Sequence, residues 1–149
     1  TWEVVPGVSS VLAAPAAAGT PLTQRGLARG FTVRTGHDTA GPTKGVLDPE
    51  EETVVVLMAL KSASEVLQGL IKEGRSPDTP AIAVAKASRE DEEVVVGNLG
   101  TLDREIHAAG LKGPATLIVG EVARRALKRI ESLEENPTAA AIRAVAGIS

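Results

Sequence analysis

Residues 53–58 read Thr-Val-Val-Val-Leu-Met, and this run decides the fold. Three consecutive valines leave no polar face, so the segment predicts a strand covered on both sides, the pattern of a buried sheet in a layered α/β domain. Its carboxyl end falls at Met58-Ala59-Leu60, the kind of edge at which α/β domains build their sites. Directly after it, Ser62 and Glu65 have the spacing of a capping box. Val66, Leu67, Leu70 and Ile71 then line one helical face, and Gly74 is placed to end the helix.

Outward from that unit, Pro80 to Ala85 and Glu93 to Leu99 predict two more strands, paired as a hairpin across the acidic loop Arg89 to Glu92. Thr101 opens a short helix ending at Gly110, Thr116 to Val119 is a last buried strand, and Glu121 to Glu134 is a charged helix broken before Pro137. Thr138 to Ala146 follows as a short helix or frayed tail. Upstream, Phe31 to Thr35 alternates as a strand, and Gly36 to Glu52, without helical or strand period, is a loop. Trp2 to Val5 is a β-prone run stopped by Pro6-Gly7, after which Ser9 caps a helix running to Gly19, with Pro15 set to kink or restart it. The fold class is α/β, a mixed and mostly buried sheet flanked by helices.

Composition narrows the function. A chain of 149 residues, 43% hydrophobic and 23% charged, can bury one ordinary core. Trp2 and Phe31 are its only aromatics, so stacking platforms for nucleic-acid bases are nearly absent, and a net charge of −3 offers no basic footprint for a phosphate backbone. The cluster Arg124, Arg125, Lys128 and Arg129 reads as a solvated helix face. Without cysteine there is no thiol nucleophile or zinc–thiolate site, and two histidines cannot build an all-histidine metal centre. No apolar run approaches the roughly 20 residues that span a bilayer, and Thr1 to Val5 carries no signal-peptide pattern, so the chain reads as cytoplasmic. It begins inside an apparent strand, with Met58 as its sole methionine, which points to a fragment of a longer protein.

No generic catalytic signature occurs: there is no GxGxxG fingerprint, no P-loop and no Ser-His-acid arrangement. Six segments in order carry a different signal: VVPGVSS at 4–10, AGTPLTQRGLARGFTVRTGH at 18–37, LMAL at 57–60, GRSPDTP at 74–80, VVVGNL at 94–99 and PATLIVGEV at 114–122. Together they resemble the tetrapyrrole methylase family, in its uroporphyrinogen-III C-methyltransferase branch. The likeness covers residues 3 to about 125. It implies that 1–125 is the family's C-terminal α/β domain, with 1–20 as an inter-domain connection and 126–149 as a helical tail outside it.

The resemblance implies S-adenosyl-L-methionine as methyl donor and S-adenosyl-L-homocysteine as product. It implies a tetrapyrrole acceptor, a homodimer, and a missing N-terminal domain that holds the catalytic residues, so none is assigned here. It places donor contacts at Ser9 and Ser10, Met58, Ala87 and Ala115, and sets Arg25 and His37 at the mouth of the acceptor cleft. The residue types suit these roles: hydroxyls and N–H groups at a helix start for a carboxylate, a thioether for a purine face, and a guanidinium for acceptor carboxylates. The bland alternatives are a plain helix cap for Ser9, core packing for Met58 and Ala115, and surface roles for Arg25 and His37. Two departures stand out. Ala59 replaces the glycine of the family's M-G-L segment, and Val84-Ala85-Lys86-Ala87-Ser88 stands where the family reads V-E-N-G-T. The second opens the acceptor to other readings, a different precorrin or a diphthamide intermediate. An autonomous dimerisation module is the reading from outside enzymology.

Overall fold

Val54, Val55 and Val56 are fully buried in a strand, as their lack of a polar face requires. The computed structural model describes residues 1–36, 51–128 and 143–144. In chain order the elements are α1 (Ser10–Ala17), β1 (Gly30–Thr35), β2 (Glu52–Leu57), α2 (Ala63–Lys72), β3 (Pro80–Ala85), β4 (Glu93–Asn98), α3 (Leu102–Ala109), β5 (Ala115–Val119) and β6 (Arg143–Ala144). Single 3-10 turns lie at Leu60–Ser62 and Glu121–Ala123, the second running into helix over 124–128.

The strands lie side by side in the order β1-β2-β5-β3-β4-β6. β1 and β2 are parallel; β5 inserts between β2 and β3 antiparallel to both, and β4 closes the predicted hairpin with β3. Because β5 takes the centre, all five of its residues are buried. Alternation along the strands sorts the core into two layers. Val54, Val56, Ala81, Ala83, Ala85, Leu117 and Val119 face α2 and α3, meeting Leu67, Leu70, Leu102 and Ile106. Ile82, Val84, Val94 and Ile118 face the other way, against Ala14 of α1, Ala18 just past it, and Ala123 and Ala126.

The predicted glycine stops hold. Gly74 turns left-handed at φ 104°, and the N–H groups of Gly74 and Arg75 donate back to Ile71 and Leu70 as a Schellman motif. Gly110 ends α3 at φ 61°. Other expectations change. Trp2 to Val5 forms no strand: it has no ladder partner, and Trp2 is 87% exposed. The capping box is not made, because the Ser62 hydroxyl donates to the Gly36 carbonyl at 2.7 Å instead of accepting from α2. α1 runs through Pro15 as one element and stops at Ala17. The charged helix starts only after a 3-10 turn, and its predicted part beyond 128 lies outside the described residues. Within the stretch 138–146, residues 143–144 pair with β4 as a parallel strand rather than a helix; the rest of that stretch, and 37–50 of the predicted loop, lie outside the described residues. Among the described residues no helix is long and apolar enough to cross a membrane, and no group of acidic or histidine side chains could hold a metal ion.

Candidate functional site

β1, β2 and β3 run the same way, so their carboxyl ends share one edge of the sheet with the amino ends of β4 and β5. The register fixes this: Thr35 lies opposite Leu57, Leu57 opposite Thr116, and Ala85 opposite both Ala115 and Glu93. Met58, Ala87 and Ala115, far apart in sequence, therefore meet at one edge. Met58 is 55% exposed, an apolar thioether presented to solvent, while the following Ala59 is fully buried. Ala115 is buried on the α2 side, and Ala87 is half-buried against the α1 side.

Backbone strain concentrates at the same edge. Among the described residues the non-glycine positions with positive φ are Met58 (55°), Lys86 (51°) and Ser88 (67°). Each costs on the order of 1–2 kcal/mol in an L-residue, and such outliers persist where surrounding contacts over-determine them. Such contacts are present at Lys86 and Ser88. The Lys86 N–H donates to the Pro114 carbonyl at 3.0 Å, and the Ser88 N–H donates to Glu92 Oε2 at 2.6 Å. Lys86 Nζ meets Asp91 Oδ2 at 3.0 Å and Glu93 Oε1 at 3.6 Å.

Beside Met58, Gly36 donates its N–H to the Leu57 carbonyl at 2.7 Å. A Cβ on Gly36 would stand 2.5 Å from Ala59 Cα and 2.9 Å from the Met58 carbonyl oxygen. Sequence reasoning gave neither Gly36 nor the Lys86 side chain a part in the site. The signal for Gly36 was the glycine ending a strand next to His37; for Lys86 it was a cation followed closely by Asp91 and Glu93.

Ser9, Ser10 and Arg25 do not lie on these strand ends. Ser9 is the N-cap of α1, its Oγ accepting the Val11 N–H at 3.2 Å, and both Ser9 and Ser10 are exposed. Arg25 sits exposed in the turn closed by the Gln24–Ala28 bridge ahead of β1. Gln24 accepts from Arg125, beyond the carboxyl end of β5, so Arg25 belongs to the opposite end of the sheet from Met58. Its place just before the amino end of β1 dictates that separation. His37 lies outside the described residues. A depression of about 240 Å³ lined by Ser76, Asp78, Thr79, Glu121 and Arg124 is also at the far end and contains none of the candidates.

The Lys86 hydrogen bond holds the Asp91 carboxyl below its ordinary value of 3.8, and Asp91 in turn raises the Lys86 ammonium above 10.5. The sign follows: the contact is complete at neutral pH, is lost in acid only as pH falls through the depressed Asp91 value, and is lost in base only above 10.5. A carboxyl titration followed by NMR should therefore show Asp91 ionising below 3.8; a midpoint above that value would remove the contact.

The family model for Tetrapyrrole (Corrin/Porphyrin) Methylases matches residues 1–103. The chain belongs to the tetrapyrrole methylase family. It is 40% identical over 130 residues to a siroheme synthase of Chromobacterium violaceum, covering 85% of this chain and 28% of that protein. It is 36% identical over 126 residues to an S-adenosyl-L-methionine-dependent uroporphyrinogen III methyltransferase of Methanosarcina barkeri, covering 81% and 49%. Among solved structures it resembles uroporphyrin-III C-methyltransferase of Thermus thermophilus complexed with S-adenosyl homocysteine (TM-score 0.63, 36% identity, 82% of this chain and 53% of that one). It also resembles a cobalt precorrin-4 methyltransferase (TM-score 0.70, 28% identity, 81% and 52%). The chain thus spans between about a quarter and about half of the methylases it matches.

Proposed function

We propose that this chain forms one wall of an S-adenosyl-L-methionine site in a C-methyltransferase acting on uroporphyrinogen III, on the route to sirohaem and cobalamin. The observation that carries the reading is the single edge of the sheet that carries Met58, Ala87 and Ala115 together with all three left-handed non-glycine residues described. The residue chemistry fits the donor. An exposed thioether offers a polarisable surface to a purine, and the alanines at the end of β3 and the start of β5, Ala85 and Ala115, leave room for a ligand close to the main chain. Ser9 and Ser10 supply exposed hydroxyls for the methionine carboxylate. His37 directly follows Gly36 in the sequence and keeps its proposed role toward the acceptor, whereas Arg25, at the opposite end, does not enter the proposal.

When bound, the donor supplies a sulfonium methyl that passes to a nucleophilic carbon with loss of the thioether product. The chain's contribution is to hold that donor in line, and positioning of this kind accounts for much of the rate in such transfers. One wall does not make a cleft, so the isolated chain binds the donor weakly and does not turn over. The working protein is proposed to be a cytoplasmic homodimer that includes the portion its relatives have and this chain lacks.

Calorimetry with S-adenosyl-L-homocysteine tests this on the chain joined to that portion. Binding is expected there, with methylation of uroporphyrinogen III, and the exposed Met58→Asp change should weaken it about tenfold without moving the unfolding midpoint. Absence of binding would overturn the donor site, and turnover by the isolated chain would overturn its incompleteness. A second reading keeps site and donor but takes another precorrin or a diphthamide intermediate as acceptor; the Ala85-Lys86-Ala87 segment favours it. Methylation of one of those acceptors in preference to uroporphyrinogen III decides between the two.

A further inference from the structure

The loop between β3 and β4 is built unlike a plain hairpin turn. Lys86 and Ser88 both adopt left-handed backbone, yet neither is glycine, the residue that takes this conformation without steric cost. Such a backbone shape persists where surrounding contacts hold it. The Lys86 side chain is only one-fifth exposed, and its ammonium spans the loop to Asp91 and Glu93. Around it the loop is closed on itself: the Arg89 N–H donates to the Lys86 carbonyl at 3.1 Å, Arg89 Nε contacts Asp91 at 3.2 Å, and Glu92 accepts from the Ser88 N–H. One side of Lys86 is tied to β5 by the bond from its N–H to the Pro114 carbonyl, one residue before Ala115. Ala87 stands between these ties.

We propose that Lys86 is a positioning residue: clamped to Asp91 and Glu93, it fixes the left-handed turn that presents the Ala87 main chain at the donor edge. This rests on the donor-site reading above. The ammonium is neutralised by two carboxylates, Asp91 in the loop and Glu93 at the start of β4, so its work is mechanical, holding a strained backbone shape, and it does not serve as an anion hook for the acceptor.

The test compares Lys86→Met, which keeps the aliphatic stem and removes the charge, with Lys86→Arg, whose fork can still reach both carboxylates. In the chain joined to the portion it lacks, Lys86→Met should raise the S-adenosyl-L-homocysteine dissociation constant about tenfold, with Lys86→Arg returning it to within about twofold. Amide hydrogen exchange at Ser88 and Arg89 should accelerate in Lys86→Met while the thermal midpoint stays put. Unchanged exchange in Lys86→Met overturns the clamp, and so does faster exchange with unchanged donor affinity, since the turn would then not serve the site. If the unsubstituted protein binds no donor, the donor-site reading fails and the assigned purpose of the clamp fails with it, and the exchange data still report separately whether Lys86 orders the loop.

Discussion

Arg75→Ala is expected to lower the stability of the chain by about 3–5 kcal/mol, the cost of leaving one member of a buried ion pair without its partner. Arg75 and Glu52 are 5% and 7% exposed. The guanidinium donates to the Glu52 carbonyl at 3.0 Å and approaches its carboxylate at 3.4 Å, and the Thr32 hydroxyl donates to the other carboxylate oxygen. One cation therefore ties the end of α2 to the start of β2, and through Thr32 to the edge strand β1. Removing it strands an acidic group at a sheet end where water reaches poorly. A loss of that size is a large part of the roughly 5–15 kcal/mol that holds a domain folded. Urea unfolding measures it, and the double change Arg75→Met with Glu52→Gln should recover much of the loss. A cost below about 1 kcal/mol for Arg75→Ala would mean that Glu52 is solvated, as exposed pairs are.

Gly36→Ala is the second large expected effect, because it strikes stability and site together. The new methyl group would meet Ala59 Cα at 2.5 Å and the Met58 carbonyl at 2.9 Å. Both are main-chain atoms, so no rotamer change relieves the clash and the 58–59 backbone must move. Overpacking of this kind costs about 1–3 kcal/mol, and the displaced residue is Met58, the exposed thioether of the proposed donor edge. The expected result is a lowered unfolding midpoint with at least a tenfold weaker affinity for S-adenosyl-L-homocysteine in the chain joined to the portion it lacks. Loss of stability with full donor affinity would show that Met58 need not hold its position for the donor to bind.

Much of the architecture was legible before any coordinates. The valines of 54–56 read as a two-sided strand, the Val66, Leu67, Leu70 and Ile71 face as a helix on a core, and Gly74 and Gly110 end their helices in the left-handed turns that glycine permits. Failures came where local preference had no partner or a better one. Trp2 to Val5 has β propensity, but among the described residues no strand pairs with its backbone. Ser62 is a good N-cap by residue type, yet the nearby Gly36 carbonyl takes its hydroxyl. Residues 143–144 extend the sheet, because a strand edge at Glu93 and Val94 is open to them.

The site divides in the same way. Met58, Ala87 and Ala115 were named from family-like segments, and Ser9 was named as a helix cap, a role the structure shows. Sequence order alone determined the α/β class, most element boundaries and membership in the methylase family, since hydrophobic period, turn residues and segment order are local properties of the chain. Only the tertiary structure decided that β5 enters between β2 and β3, for strand order depends on long-range packing that no local pattern encodes. That insertion brings Ala115 to the edge of the sheet that carries Met58 and Ala87. The same packing supplies the tie from the Lys86 N–H to Pro114, which helps hold Lys86 in left-handed backbone, a conformation its residue type disfavours and a single sequence does not announce.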